Sequence, residues 1–310
     1  MMFAVRGIMV ALGFFGVFYC LLSLVVVCMW RCVSFLCRDS GIQLARQFFA
    51  VRIFPLAASA LLTVAFALPA FFLLEPGAID EDMGTLVFGV CTLSILGAGI
   101  FRVLTARADA SRMIADWLEG AHALEADGRP WQIKPGLPPL LLYGVFAPRV
   151  LVSETAVSLL TPNELRVAVR HEIGHLRSRD NLKKLILHGA PFPGMAGLER
   201  TWQAAVEFAA DEAAVSTSED AIDLAAALIK LCDLAPLQDA PAFTTGLMDL
   251  AALVKVRVER LLGWNKTKSR VEHLHRWWSL PVLILPGLYT AVHYHQALLF
   301  THRATEWFIH

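Results

Sequence analysis

Charge is scarce in this chain of 310 residues. Asp, Glu, Lys and Arg make up 17% of it, against about 25% in an ordinary soluble domain. What charge there is cancels, with 27 basic and 27 acidic side chains. A net charge of zero excludes a nucleic-acid binder that works by bulk attraction. No glycine-rich phosphate loop and no basic aromatic patch occur, so nothing points to nucleotide or nucleic acid as a partner. Six cysteines do not form a disulfide framework at this length. Cys20, Cys28, Cys32 and Cys91 lie in or beside apolar runs, where a thiol is most simply a small packing hydrophobe.

Apolar residues are what the chain has in excess. They make up 56% of it, and the mean hydropathy is +0.56. A bilayer-spanning helix needs about 20 apolar residues, and four stretches qualify: Ile8 to Trp30, Phe54 to Leu74, Met83 to Phe101, and Trp277 to Phe300. The second contains Pro55 and Pro69, which membrane helices tolerate. The first is too long for a signal peptide and lacks a small-residue cleavage site, so it is expected to be retained. Arg31, Arg38, Arg46 and Arg52 separate spans one and two, whereas the next linker carries Glu75, Asp80, Glu81 and Asp82 without a Lys or Arg. By the positive-inside rule, both termini and the acidic loop lie outside, and residues 102–276 form a cytoplasmic domain.

One line in that domain carries chemistry. Thr161-Pro162-Asn163-Glu164 has the form of a capping box with Pro at the first helical position. The helix it opens runs through His171-Glu172-Ile173-Gly174-His175. Two histidines four apart share a helix face and reach one tetrahedral zinc ion, while Glu172 stands beside them as a general base. A third ligand is needed. Downstream, Glu207 and Asp211 are also four apart, in a helix otherwise built of Ala, Val and Phe, where acids have little reason to be unless they face a site. Glu207 is the expected third ligand. Asp211 is expected to hold a ligand histidine through its other ring nitrogen. His₂Glu is an open, catalytic set, and one zinc ion per chain is expected.

H-E-x-x-H followed by E-x-x-A-D resembles the gluzincin metallopeptidases. The longer line Gly144 to Val152, the capped helix, and His171 to Asp180 resemble the beta-lactam-sensor (antirepressor) membrane peptidases; the heat-shock-type and prenyl-protein membrane zinc proteases share the two cores. The resemblance implies a zinc endopeptidase of the bacterial inner membrane, acting on a cytoplasmic or membrane-associated protein in regulatory signalling. Membrane-protein quality control and a silent zinc-binding scaffold are the alternatives. It also implies an orienting role for Asp180 and brings Arg257 toward the site as an oxyanion stabiliser. The charge pattern itself favours a different role for Arg257, as positive-inside charge before a span. No S-x-x-K occurs, so the outer penicillin-binding domain of the sensing members is not expected. A homo-oligomer or a sensor partner stays open.

The fold expected is therefore a mainly α membrane protein. It has a three-span region (1–101), an α+β gluzincin-like domain of helices and a small sheet (102–276), and a fourth span with a short outer tail (277–310). Leu140 to Ser153 reads as a core hairpin, and the gluzincin resemblance implies, compatibly with that, a strand beside the active-site helix that pairs an extended substrate along its edge. Leu185 to Leu198 is apolar but too short to span, and reads as an interfacial loop or a buried connector. His273 and His275, like His293 and His295, are two apart and share no helix face.

Overall fold

The computed structural model describes residues 2–33, 42–74, 83–118, 122–123, 131–133, 138–232, 244–246, 253–264, 294–296, 299 and 303. The chain divides into two compact units, one of Met1–Phe35, Val51–Gly99 and Arg270–His310, the other of Leu36–Ala50 and Ile100–Ser269.

Among the described residues, three helices are long and apolar enough to cross a membrane, over Val5–Cys32, Leu44–Leu73 and Leu86–Ala115. They belong to α1 (Met2–Val33), to a run of α2 (Ile42–Leu62), a π-helical turn (Thr63–Ala67) and α3 (Leu68–Leu74), and to α4 (Met83–Leu118). Each outlasts its apolar stretch. The fourth expected span lies almost wholly outside the described residues, as do His273, His275 and His293. Cys20, Cys28, Cys32 and Cys91 are exposed rather than packed, because these helices turn apolar faces outward. The second helix shows how its prolines are accommodated. Pro69 has no N–H to give to the carbonyl of Ala65, four residues earlier, and the π turn precedes it. The Tyr294 hydroxyl donates to that carbonyl at 2.7 Å, and its ring meets Phe66. A carbonyl freed in an apolar medium needs such a partner.

The second unit is built on a five-stranded sheet of order β1-β2-β4-β3-β5, formed by β1 (His122–Ala123), β2 (Trp131–Ile133), β3 (Leu140–Tyr143), β4 (Arg149–Ser153) and β5 (Thr244–Gly246). Only β2 and β4 run parallel. The expected hairpin is β3–β4, with Leu140 opposite Val152. Among the described residues β5 pairs with the outer edge of β3 at 141–143 and β2 with that of β4 at 151–153, so the hairpin lies inside the sheet. Leu140–Leu142 and Val150–Val152 are continuously apolar because both faces of the sheet are covered there. Leu140, Leu142, Val150 and Val152 join the main core, while Leu141, Leu151 and Ile133 meet Ile114 of α4 on the other face. The charge-free run of α4 ends at Phe101, but Ala110 and Ile114, four apart and buried, carry the helix onward.

Around the sheet lie α5 (Glu154–Leu159), α6 (Pro162–Ser178), α7 (Asp180–Gly189), α8 (Ala196–Ala214), α9 (Ser218–Cys232) and α10 (Val254–Leu262). Residues 190–195 connect α7 to α8, with Leu187, Met195 and Leu198 buried and Ile186, Pro193 and Gly194 exposed. The capping box forms as the sequence predicts: Glu164 N–H donates to Thr161 Oγ1 at 3.3 Å, and Thr161 N–H donates to Glu164 Oε2 at 2.8 Å. Lys230 of α9, far away in sequence, donates to both Glu164 oxygens at 2.8 and 2.7 Å. Burial would raise the Glu164 pKa, but Lys230 and the Thr161 N–H outweigh it and hold the carboxyl below the usual range. A depressed pKa stabilises the fold above the unfolded value, and that contribution is lost as pH falls through the folded one. Glu164→Ala is therefore expected to cost about 1–2 kcal/mol at neutral pH, read by denaturant unfolding, with the deficit shrinking in acid. A deficit that stays constant into acid would contradict this linkage.

Candidate metal centre

Helices α6 and α8 cross at small residues. A Cβ on Gly174 would lie 3.4 Å from the Cα of Ala210, an ordinary contact with no room beyond it. Gly174 sits between His171 and His175, and Ala210 between Glu207 and Asp211, so this close approach brings all four functional side chains to one place. All four are buried, His171 and His175 completely.

His171, His175 and Glu207 offer ligand atoms within 4.8 Å of one another. The two Nε2 atoms are 3.1 Å apart, and they lie 3.5 and 3.6 Å from oxygens of Glu207. Bonds of about 2.0–2.1 Å to a tetrahedral zinc would set ligand atoms about 3.3 Å apart. The three side chains thus fit such an ion in spacing and in kind. The expected orienting acids are also in place. Asp211 Oδ1 lies 3.0 Å from His171 Nδ1, and Asp180 Oδ2 lies 2.9 Å from His175 Nδ1. Each leaves the Nε2 of its histidine turned to the shared point. Asp180 is itself held by Lys183 at 2.8 Å.

Arg257 of α10 is in this cluster rather than on the surface. It is 1% exposed, because Val254, Arg257 and Leu261 form the inner face of α10 while Lys255 and Glu259 point outward. The positive-inside reading of this residue is therefore replaced. Its guanidinium grips Asp211 at 2.9 and 2.6 Å and reaches Glu207 Oε2 at 3.0 Å. Burial alone would lower its pKa, but Asp211 and then Glu207 raise it instead.

One guanidinium does not balance two buried carboxylates. Burial favours neutral His171, yet Asp211 and Glu207 raise its pKa to about 9, so the metal-free site keeps a proton there. Glu207 is driven down to about 2 against its own desolvation, by Arg257 first, and Asp211 is lowered likewise. The buried acids outnumber the one buried guanidinium, an imbalance that a bound cation would reduce.

Glu172 is fully buried beside His171, and its charge acts on Arg257. Several bracing residues carry no local sequence signal. Asn181 donates to the carbonyls of Leu142 and Gly144 at 3.2 and 2.9 Å, tying α7 to the end of β3. Arg166 and Arg170 of α6 reach Asp220 at the start of α9, both at 3.4 Å.

Residues 142–200 match the model of Peptidase family M48. The match supports a zinc metallopeptidase, and the helices apolar enough to cross a membrane lie outside the matched residues. It runs from Leu142 in β3 through β4, α5, α6 and α7 into the start of α8 and stops short of Glu207. No curated protein matches the chain.

Two outcomes follow. Gly174→Ala should keep the metal, whereas Gly174→Leu should abolish stoichiometric zinc by forcing α8 away; retention of zinc by the leucine variant would show that the close crossing is not needed. Below pH 9 a binding metal must displace the His171 proton, so apparent affinity should fall about tenfold per pH unit as pH drops from 8 to 6. A competition titration with a chelator that gave a flat profile would contradict it.

Proposed function

We propose that this chain is an integral-membrane zinc endopeptidase of the bacterial inner membrane, with its zinc domain in the cytoplasm and both termini outside. The observation that carries the reading is the buried His171-His175-Glu207 set at tetrahedral spacing with Glu172 alongside. Zinc held by those three side chains would polarise a peptide carbonyl and acidify water. Glu172 would take a proton from the attacking water and pass it to the leaving amine. Asp211 and Asp180 would keep both imidazoles in the tautomer that turns Nε2 inward. Arg257 would fix Asp211 and Glu207. Its remaining capacity to face a developing oxyanion is part of the proposal.

The substrate in this reading is a cytoplasmic or membrane-associated protein, cleaved as a regulatory step. The resemblance of 144–152 and 171–180 to the antirepressor peptidases supports that step, with autoproteolysis or repressor cleavage as its form. Quality control of membrane proteins uses the same chemistry and differs only in substrate. A silent scaffold would have no need of Glu172.

The test uses full-length protein in detergent with a casein-type substrate. Glu172→Gln should keep its zinc and lose activity by about 10²–10⁴-fold. Equal cleavage by wild type and Glu172→Gln, or none by zinc-loaded wild type across substrates, would count against an endopeptidase and for the scaffold.

A further inference from the structure

Asp180 uses its two oxygens on two different partners. Oδ2 lies 2.9 Å from His175 Nδ1, and Oδ1 accepts from Lys183 Nζ at 2.8 Å. The ammonium fixes the plane of the carboxylate, and with it the oxygen that faces the ligand histidine. Lys183 carries that ammonium on a flexible four-carbon stem, and its side chain is 23% exposed. A second contact is needed to hold it still, and that contact is aromatic. Lys183 Nζ stands over the ring of Phe49, 5.9 Å from the centroid, within the range where a cation is drawn to a π face.

Phe49 is remote from α7 in sequence. It lies on α2, Ile42–Leu62, within the stretch Leu44–Leu73 that is apolar enough to cross a membrane. The opening turns of α2, as far as Ala50, fall in the same compact unit as α7 and α8. There the Phe49 ring meets Trp202 of α8, with centroids 6.0 Å apart and planes tilted by 42°. Trp202 is 1% exposed, so it is a fixed wall for the smaller ring. Contacts thus run in series from Trp202 to Phe49, Lys183, Asp180 and His175. A residue of a membrane-compatible helix sits in the middle of them.

We propose that Phe49 is a positioning residue for the metal centre: its ring holds Lys183 on Asp180, so zinc affinity depends on the seating of α2. The proposal rests on the reading of His171, His175 and Glu207 as a zinc site. Phe49 touches neither metal nor substrate and acts through Lys183. A shift or rotation of α2 would withdraw the ring from Lys183, free the Asp180 carboxylate to turn, and loosen the His175 imidazole. The helix thereby has a hold on the zinc centre.

The test measures zinc affinity of the full-length protein in detergent, by competition with a chelator, and needs no substrate. Lys183→Met keeps the stem, removes the charge and should weaken binding about tenfold. Phe49→Leu should weaken it about threefold or more, while Phe49→Tyr, which keeps the π face, should stay within about twofold of wild type. In the Lys183→Met background, Phe49→Leu should cost nothing further, whereas a residue that merely packs would cost affinity in both backgrounds. Ring-fluorinated phenylalanine at position 49 weakens the π face with little change of shape, so the test stands even where the leucine variant fails to fold. Each added fluorine should weaken zinc binding when Lys183 is present and leave Lys183→Met protein unchanged. Affinity that fluorination does not move, or that falls equally in both backgrounds, overturns the proposal and leaves the zinc site standing. Wild-type protein that binds no zinc overturns the zinc reading and the proposal with it.

Discussion

Helices α6 and α8 meet backbone to backbone where Gly174 faces Ala210, and every donor at the metal centre hangs from one of those two helices. The i, i+4 spacing supplies two side chains from each, one pair on either side of the crossing. A wider crossing would leave two separate pairs, each a histidine couple or an acid couple with no common point. The small residues are thus as necessary to the site as the ligands are, although neither has any chemistry of its own.

Bringing acids and imidazoles together in a dry interior raises an electrostatic demand. Isolated buried carboxylates are expensive, and Arg257 meets most of that demand by contacting both Asp211 and Glu207. It is a positioning and neutralising group from a third helix, so the site depends on α10 as well as on the crossing. Asp180 extends the network another way. Through His175 it fixes a ligand ring, and its neighbour Asn181 anchors the same turn to β3. Arg179, in the left-handed conformation, makes the sharp bend between α6 and α7 that places both residues. The sheet, packed on both faces, is the rigid frame to which this turn is tied.

Local signals in the sequence are legible and long-range ones are not. Thr161, Pro162 and Glu164 announce the start of α6 by themselves, and the helix face of His171 and His175 follows from counting. Glu207 and Asp211 stand out because acids are foreign to an apolar helix. Arg257 is obscured by its basic neighbours: Lys255 and Arg260 give the same charge signal while facing outward, and only the three-dimensional pairing with Asp211 distinguishes it. Lys230 and Asp220 pair with α6 across more than 40 residues of chain, and no spacing rule reaches that far. The strand order is equally hidden, because β2 and β5 are three residues each and lie beyond the hairpin that the apolar runs reveal. The full extent of α4 escapes a sequence reading for a different reason. Its uncharged run marks the third span, whereas the continuation that carries Ile114 to the sheet reads only as the basic, positive-inside flank of that span.

In the function proposed above, the crossing, the buried arginine and the two acids beside the histidines serve to hold two imidazoles and a carboxylate around one zinc ion. Zinc-edge X-ray absorption of the freshly purified full-length protein tests that arrangement directly. The expected spectrum shows about one zinc per chain with only nitrogen and oxygen neighbours at about 2.0–2.1 Å and an imidazole signature from two rings. A sulfur shell near 2.3 Å, or protein that carries no zinc when purified in its presence, would contradict it.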